Sequence, residues 1–125
     1  MYSHNMVGAN CLDAAKKFYD ATFQAIGGKP GIQDPKGRLI YMHNGGLFLV
    51  TKPIDGEAAT AGNGCTIGIA MENPEQADAW HAAGVAAGGT AIEDPPGVRE
   101  VNGMKMYLAY LRDPSGNKLC ALHRM

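Results

Sequence analysis

The sequence predicts an α+β fold: two βαβββ units in one chain, forming an open U-shaped mixed sheet around a cavity. Three observations predict it. Residues 7–28 (VGANCLDAAKKFYDATFQAIGG) and 68–89 (GIAMENPEQADAWHAAGVAAGG) share one order of signals: apolar strand, Asn start, amphipathic helix, Gly-Gly stop. The two segments lie 61 residues apart, so two copies fill the 125-residue chain. Each helix is also followed by paired strand patterns around a tight-turn signal. A unit of this kind covers one sheet face with its helix. The other face must meet a second unit, and two units side by side enclose a cavity.

In the first unit, His4 to Gly8 is a short apolar run suited to a strand. Asn10 reads as an N-cap, with Asp13 favourable in the first helical turn. Leu12, Ala15, Phe18, Tyr19 and Ile26 share a helical face that excludes Lys16 and Lys17. Gly27-Gly28 supplies the left-handed stop. A short strand is expected near Lys29–Gln33. Arg38–His43 and Leu47–Lys52 then flank Asn44-Gly45-Gly46, the strongest short hairpin signal. The polar, glycine-rich stretch Asp55–Gly64 reads as a linker.

In the second unit, Asn73 caps, Pro74 sits at N1, and Gln76 can return the capping-box bond. Ala77, Trp80, Gly84 and Ala87 form the buried stripe, and Gly88-Gly89 ends the helix. A strand near Thr90–Glu93 follows. Asp94–Gly103, with Pro95, Pro96 and Gly97, reads as a mobile loop or lid. Lys105–Arg112 and Lys118–His123 flank the turn Asp113-Pro114-Ser115-Gly116-Asn117. The chain is thus one domain, 1–125, with units 1–54 and 65–125.

Composition narrows the function classes. Hydrophobic residues are 46 % and charged residues 18 %, which suits a packed domain rather than a disordered chain. The net charge is −1 and is evenly spread. No basic face stands out, which argues against nucleic acid and anionic membranes as partners. No 18-residue apolar run or charged-then-apolar leader is present. Three cysteines with no CxxC spacing argue against a disulfide framework or a zinc ribbon and point to the cytoplasm. There is no Ser-His-Asp order, P-loop or dinucleotide fingerprint. Gly62-Asn63-Gly64 precedes no helix.

The element order, with LDAAKKFYDATFQAIGG near the start and YLAYLRDPSGNKLCALH at the end, resembles the vicinal oxygen chelate superfamily. This is the glyoxalase, bleomycin-resistance and extradiol-dioxygenase group. The most specific piece is D-P-x-G-N-K-apolar before the last strand. Metal-dependent members use four inner-face strand positions as ligands. Carried over one by one, the first falls on His4, a match. The second falls within Leu47–Thr51 (LFLVT), which holds neither carboxylate nor imidazole. The third falls on Thr66, or Cys65 in a shifted register, and the fourth on Cys120. A tight catalytic site needs about three protein ligands. No tightly bound cofactor is therefore expected, with zinc, nickel or manganese the cations the resemblance leaves open.

The resemblance implies a small-molecule partner and a homodimer. It offers two functions, with an enzyme using the same cavity without metal as a third. One is a glyoxalase-like lyase or isomerase acting on a small oxygenated substrate through a degenerate metal site. The other is a metal-independent binding protein of the bleomycin-resistance kind. The near-neutral charge weighs against capture of a cationic drug.

Candidate site residues follow. Period two puts Leu108, Tyr110 and Arg112 on one strand face. In antibiotic-modifying relatives a Tyr in the place of Tyr110 contacts the ligand. Arg112 can clamp a carboxylate or phosphonate, or be a solvated strand end. Tyr41 and His43 share a strand face and can line the other half of the pocket. Thr66 and Cys120 line it at the ligand positions, although a free Cys is usually a small buried hydrophobe. His4 is either a cavity residue or a packed one. His81 reads as exposed and His123 as unremarkable. Met6, Met42, Met71, Met104 and Met106 read as core filling, or as an adaptable apolar cavity.

Overall fold

The computed structural model describes every residue, Met1–Met125. The first unit comprises β1 (Asn5–Gly8), α1 (Leu12–Ala25), β2 (Ile32–Gln33), β3 (Leu39–His43) and β4 (Gly46–Thr51). The second comprises β5 (Ile67–Ala70), α2 (Pro74–Ala86), β6 (Thr90–Ala91), β7 (Gly97–Val101), β8 (Met104–Arg112) and β9 (Lys118–Arg124). Two open mixed sheets result. One has the order β1-β4-β3-β2. The other runs β5-β9-β8-β6, with β7 also on β8. In each sheet the first strand of the unit pairs parallel with the last.

The second unit carries one strand more than expected. Half of the segment read as a mobile loop is β7, paired with β8 from Gly97↔Leu108 to Val101↔Met104. The turn between them is Asn102-Gly103, both at positive φ (52° and 78°). This is the chemistry of the Asn44-Gly45 turn (48° and 78°). Arg99 ties the segment further, donating to the carbonyls of Gly97 and Asp94, each at 2.9 Å.

Two caps also differ from expectation. Cys11, not Asn10, caps α1, its sulfur accepting from the Ala14 amide at 3.4 Å. Asn10 is committed elsewhere: its Oδ1 accepts from the Ala59 amide (2.7 Å) and its Nδ2 donates to the Ala59 carbonyl (3.3 Å). It pins the linker, which is otherwise irregular. On α2, Asn73 caps the Gln76 amide at 2.7 Å as expected. The Gln76 side chain returns its bond to Glu72, one residue before the cap, at 2.8 Å.

One hydrophobic core serves both units. It joins Phe18, Tyr19 and Phe23 of α1, Ala77 and Trp80 of α2, and the helix-facing residues of both sheets. The helices pack directly on each other, and Gly84 sits at that contact. A Cβ there would meet Leu111 Cδ1 at 2.3 Å, with Phe18 and Thr22 also within 3.2 Å. Gly84→Ala is therefore expected to destabilise by about 1–3 kcal/mol through overpacking. Helix propensity alone would favour Ala by roughly 1 kcal/mol, so the sign of the change in a urea melt decides which effect governs.

The D-P-S-G-N turn is the second joint between the units. Asp113 is buried, and its carboxylate accepts from the Tyr19 hydroxyl (2.6 Å). It also accepts from the Ser115 and Asn117 amides (2.9 Å each) and from Asn117 Nδ2 (2.8 Å). The same Nδ2 donates to the Gly8 carbonyl of β1 at 2.8 Å, and Ser115 Oγ accepts from the Asn10 amide. The turn thus grips α1, β1 and the residue that pins the linker.

Candidate functional site

Strand alternation sorts the side chains of each sheet onto two faces. In the second sheet Tyr107, Ala109, Leu111, Leu119 and Ala121 face the helices and the core. Leu108, Tyr110, Arg112, Lys118, Cys120 and Leu122 therefore share the opposite, concave face. Register brings them together: Tyr110 stands across from Cys120, Arg112 from Lys118, and Gly68 of β5 from Cys120. Thr66, two residues before Gly68, belongs to the same face. Of the expected site residues, Tyr110, Arg112, Thr66 and Cys120 thus converge.

Lys118 sits in the middle of this group. Its Nζ lies 5.1 Å from the centre of the Tyr110 ring, a cation–π distance, and pairs with the Glu93 carboxylate. Glu93 reaches it from a left-handed backbone (φ 58°) just after β6. Burial pushes the Cys120 thiol up from its ordinary value, and Glu93 adds to this against the opposing pull of Tyr110 and Lys118. Burial likewise raises the Tyr110 phenol, with Cys120 the next cause. At neutral pH both groups stay protonated. Cys120 is buried while Cys11 and Cys65 are exposed. Iodoacetamide at pH 7.5 is expected to label two thiols quickly and Cys120 at least about tenfold more slowly. Equal labelling of all three would contradict this placement.

Two clefts open on this face. One, of about 460 Å³, is lined by the linker end (Asn63, Cys65, Thr66) with Arg112 and Lys118. The other, of about 540 Å³, extends it past Thr66 and Lys118 to Met6 and Gly8 of β1.

Tyr41 does not join this group. It faces α1, is almost fully buried, and stacks on Phe23 with ring centroids 4.9 Å apart. Its hydroxyl donates to Asp20 at 2.8 Å. Asp20 also accepts from Lys16 and the Gly31 amide. A Cβ at Gly31 would strike the Tyr41 ring at 2.5 Å, so Gly31 makes room for it. Tyr41 and His43 do share a face as expected. That face borders a lateral groove of about 220 Å³ with Phe23, Phe48, Ile67 and Ile69, on the helix side.

His4 lies just before β1, exposed, its Nδ1 bonded to Ser3 Oγ at 2.8 Å. His81, read as exposed, is half-buried, and burial lowers its pKa. His123 is held by the Met71 carbonyl at 3.1 Å. Of the methionines read as core, Met71 alone is buried. Met6, Met42 and Met104 are exposed, at 41 %, 64 % and 63 %. Met6 and Met42 lie on the face of the first sheet that no helix covers, opposite Val7, Leu39 and Tyr41.

Sequence reading missed Lys118, Glu93 and Arg99. Lys118 was findable, because equal spacing around the D-P-S-G-N turn sets it opposite Arg112. Glu93 carries no sequence signal, since its placement depends on an unusual backbone conformation.

The donor set does not fit a catalytic metal. The inner-face positions hold His4, Leu47 or Leu49, Thr66 and Cys120, and no three His, Cys, Asp or Glu side chains converge anywhere. No helix is long and apolar enough to cross a membrane.

No protein-family model matches the chain, and no curated protein does. Solved structures do. A glyoxalase/bleomycin resistance protein from Albidiferax ferrireducens T118 is 55 % identical over 99 % of both chains, with a TM-score of 0.95. A glyoxalase/bleomycin resistance protein/dioxygenase family enzyme from Burkholderia phytofirmans PsJN is 19 % identical over 98 % of both chains (TM-score 0.74). A glyoxalase/bleomycin resistance protein/dioxygenase from Alicyclobacillus acidocaldarius is 20 % identical over 98 % of this chain and 89 % of that one (TM-score 0.69). The latter two share the fold, whereas the first shares more than half its sequence as well, end to end. The chain belongs to the glyoxalase/bleomycin resistance protein family, within the vicinal oxygen chelate superfamily.

Proposed function

We propose that the protein binds a small molecule on the concave face of its second sheet without a tightly held metal ion. The observation that carries the reading is the substitution of the ligand positions. Leu49, Thr66 and Cys120 offer no charged oxygen or imidazole, while Tyr110, Lys118, Glu93 and Arg112 supply polar contacts beside apolar Leu108 and Leu122. Placed polar groups beside apolar surface are the two ingredients of a small-molecule site. Protein stripped with a chelator is expected to bind its ligand as well as protein supplied with nickel. Heteronuclear NMR of a small aromatic library should move the amides of Thr66, Tyr110 and Cys120. Binding that appears only with added metal would count against the reading.

A second reading keeps the family's lyase or isomerase chemistry in a metal-free form. Glu93, the carboxylate that reaches this face, supports it as a proton acceptor. Its ion pair with Lys118, whose Nζ also lies over the Tyr110 ring, holds it at this face.

The proposal includes a homodimer. Met6, Ile32 and Met42 lie on the uncovered face of the first sheet and are 41–64 % exposed. A contiguous apolar sheet face of this kind marks an interaction surface, and a second copy that covers it completes the cavity the fold leaves open. The three free cysteines suit a reducing compartment, the cytoplasm.

A further inference from the structure

We infer that the ligand of the concave face carries an anionic head, a carboxylate or a phosphate-like group, seated between Arg112 and Lys118 against the linker end. This rests on the reading of that face as the ligand site and adds the chemical class. Arg112 and Lys118 are directly opposite across the β8–β9 ladder, on one face. Like charges so placed repel unless something negative sits between them. Glu93 answers only Lys118. Arg112 enters no ion pair: its Nη1 donates to the Gly116 carbonyl at 2.7 Å, which leaves the rest of the guanidinium fork free. Arg99 on β7 has no carboxylate partner either, its charge resting on backbone carbonyls. Arg99, Arg112, Lys118 and Arg124 give this face four cations against the one acid Glu93, in a chain whose net charge is −1.

The space fits the charge. Arg112 and Lys118 form one wall of the cleft of about 460 Å³, and the linker end forms the other. That wall offers the Thr66 hydroxyl and the Asn63 amide. It is held in shape by the Cys65 amide donating to the Gly62 carbonyl at 3.1 Å. Gly62 packs close to Cys65: a Cβ there would meet Sγ at 2.6 Å, so Cys65 would have to turn. A guanidinium fork beside a hydroxyl is suited to bidentate capture of a carboxylate or phosphonate. Tyr110, next on the same strand face, then receives the uncharged part of the ligand.

The test is an NMR titration of the whole protein with four probes of similar size: phenylphosphonate, benzoate, benzyl alcohol and benzyltrimethylammonium. The two anions are expected to bind at least about tenfold more tightly than the other two, moving the amides of Cys65, Thr66 and Lys118. Added salt should weaken them. The ratio between phenylphosphonate and benzoate tells which head is preferred. Arg112→Gln, an exposed change that spares the core, should reduce anion binding about tenfold or more and leave benzyl alcohol unchanged. If benzyl alcohol binds at these amides as well as the anions do, the inference falls while the ligand-site reading stands. Unchanged anion binding by Arg112→Gln also overturns it. If none of the four probes moves these amides, both fall.

Discussion

Asp113→Ala is expected to lower stability by about 3 kcal/mol or more, because four donors lose their acceptor and one, the Tyr19 hydroxyl, is left buried. In a domain of this size the loss corresponds to a fall of roughly 10 °C in Tm. Tyr19→Phe removes a single arm of the network and should cost about 1–2 kcal/mol. Lys36→Ala, exposed in another turn, should stay within about 0.5 kcal/mol of wild type. The same network tests how the units are joined. Asp113 holds the turn that grips α1 and β1, so its loss should broaden amide signals in Gly8, Asn10 and Ala59 as well as in the turn. A loss below about 1 kcal/mol, with β1 undisturbed, would mean that helix packing alone couples the units.

The second large effect is a gain. Thr66→His combined with Cys120→Glu is expected to raise nickel or zinc affinity roughly 100-fold or more. With His4 it restores three of the four ligand types the fold uses. Gly68 lies opposite Cys120 and has open space around it, so the strand does not crowd the new side chains. Calorimetry on both proteins, titrated with the same metal solution, reads the difference directly. Equal affinity in the variant and wild type would mean that these positions do not face a common site.

Much of this was legible in the sequence, for physical reasons. The Asn44-Gly45 hairpin was readable because a turn with two positive-φ residues accepts few side chains. Ala77, Trp80, Gly84 and Ala87 were readable because a helix has one buried face. The same logic missed β7, since Pro95-Pro96-Gly97 masked an Asn102-Gly103 turn just beyond. Asn10 was misassigned as a cap because a side chain's partner can lie 49 residues away, at Ala59. Tyr110 and Arg112 followed from period two, whereas Thr66 and Cys120 came from the ligand positions that the family resemblance implies. Tyr41 was placed in the pocket because alternation says which residues share a face, not which face meets the helix. Asp20 and Gly31 decide that for Tyr41, and both lie outside its strand. Glu93 and its bond to Lys118 depend on a left-handed residue that no local pattern announces.

On the proposed function, the family's metal chemistry is lost from this cavity while its ligand-binding face remains. The most direct measurement is the metal content of untagged protein by elemental analysis, followed by nickel and zinc titration. Substoichiometric metal is expected, with dissociation constants no tighter than about millimolar, as for fewer than three protein ligands. Near-stoichiometric metal, or micromolar affinity in the wild-type protein, would contradict it.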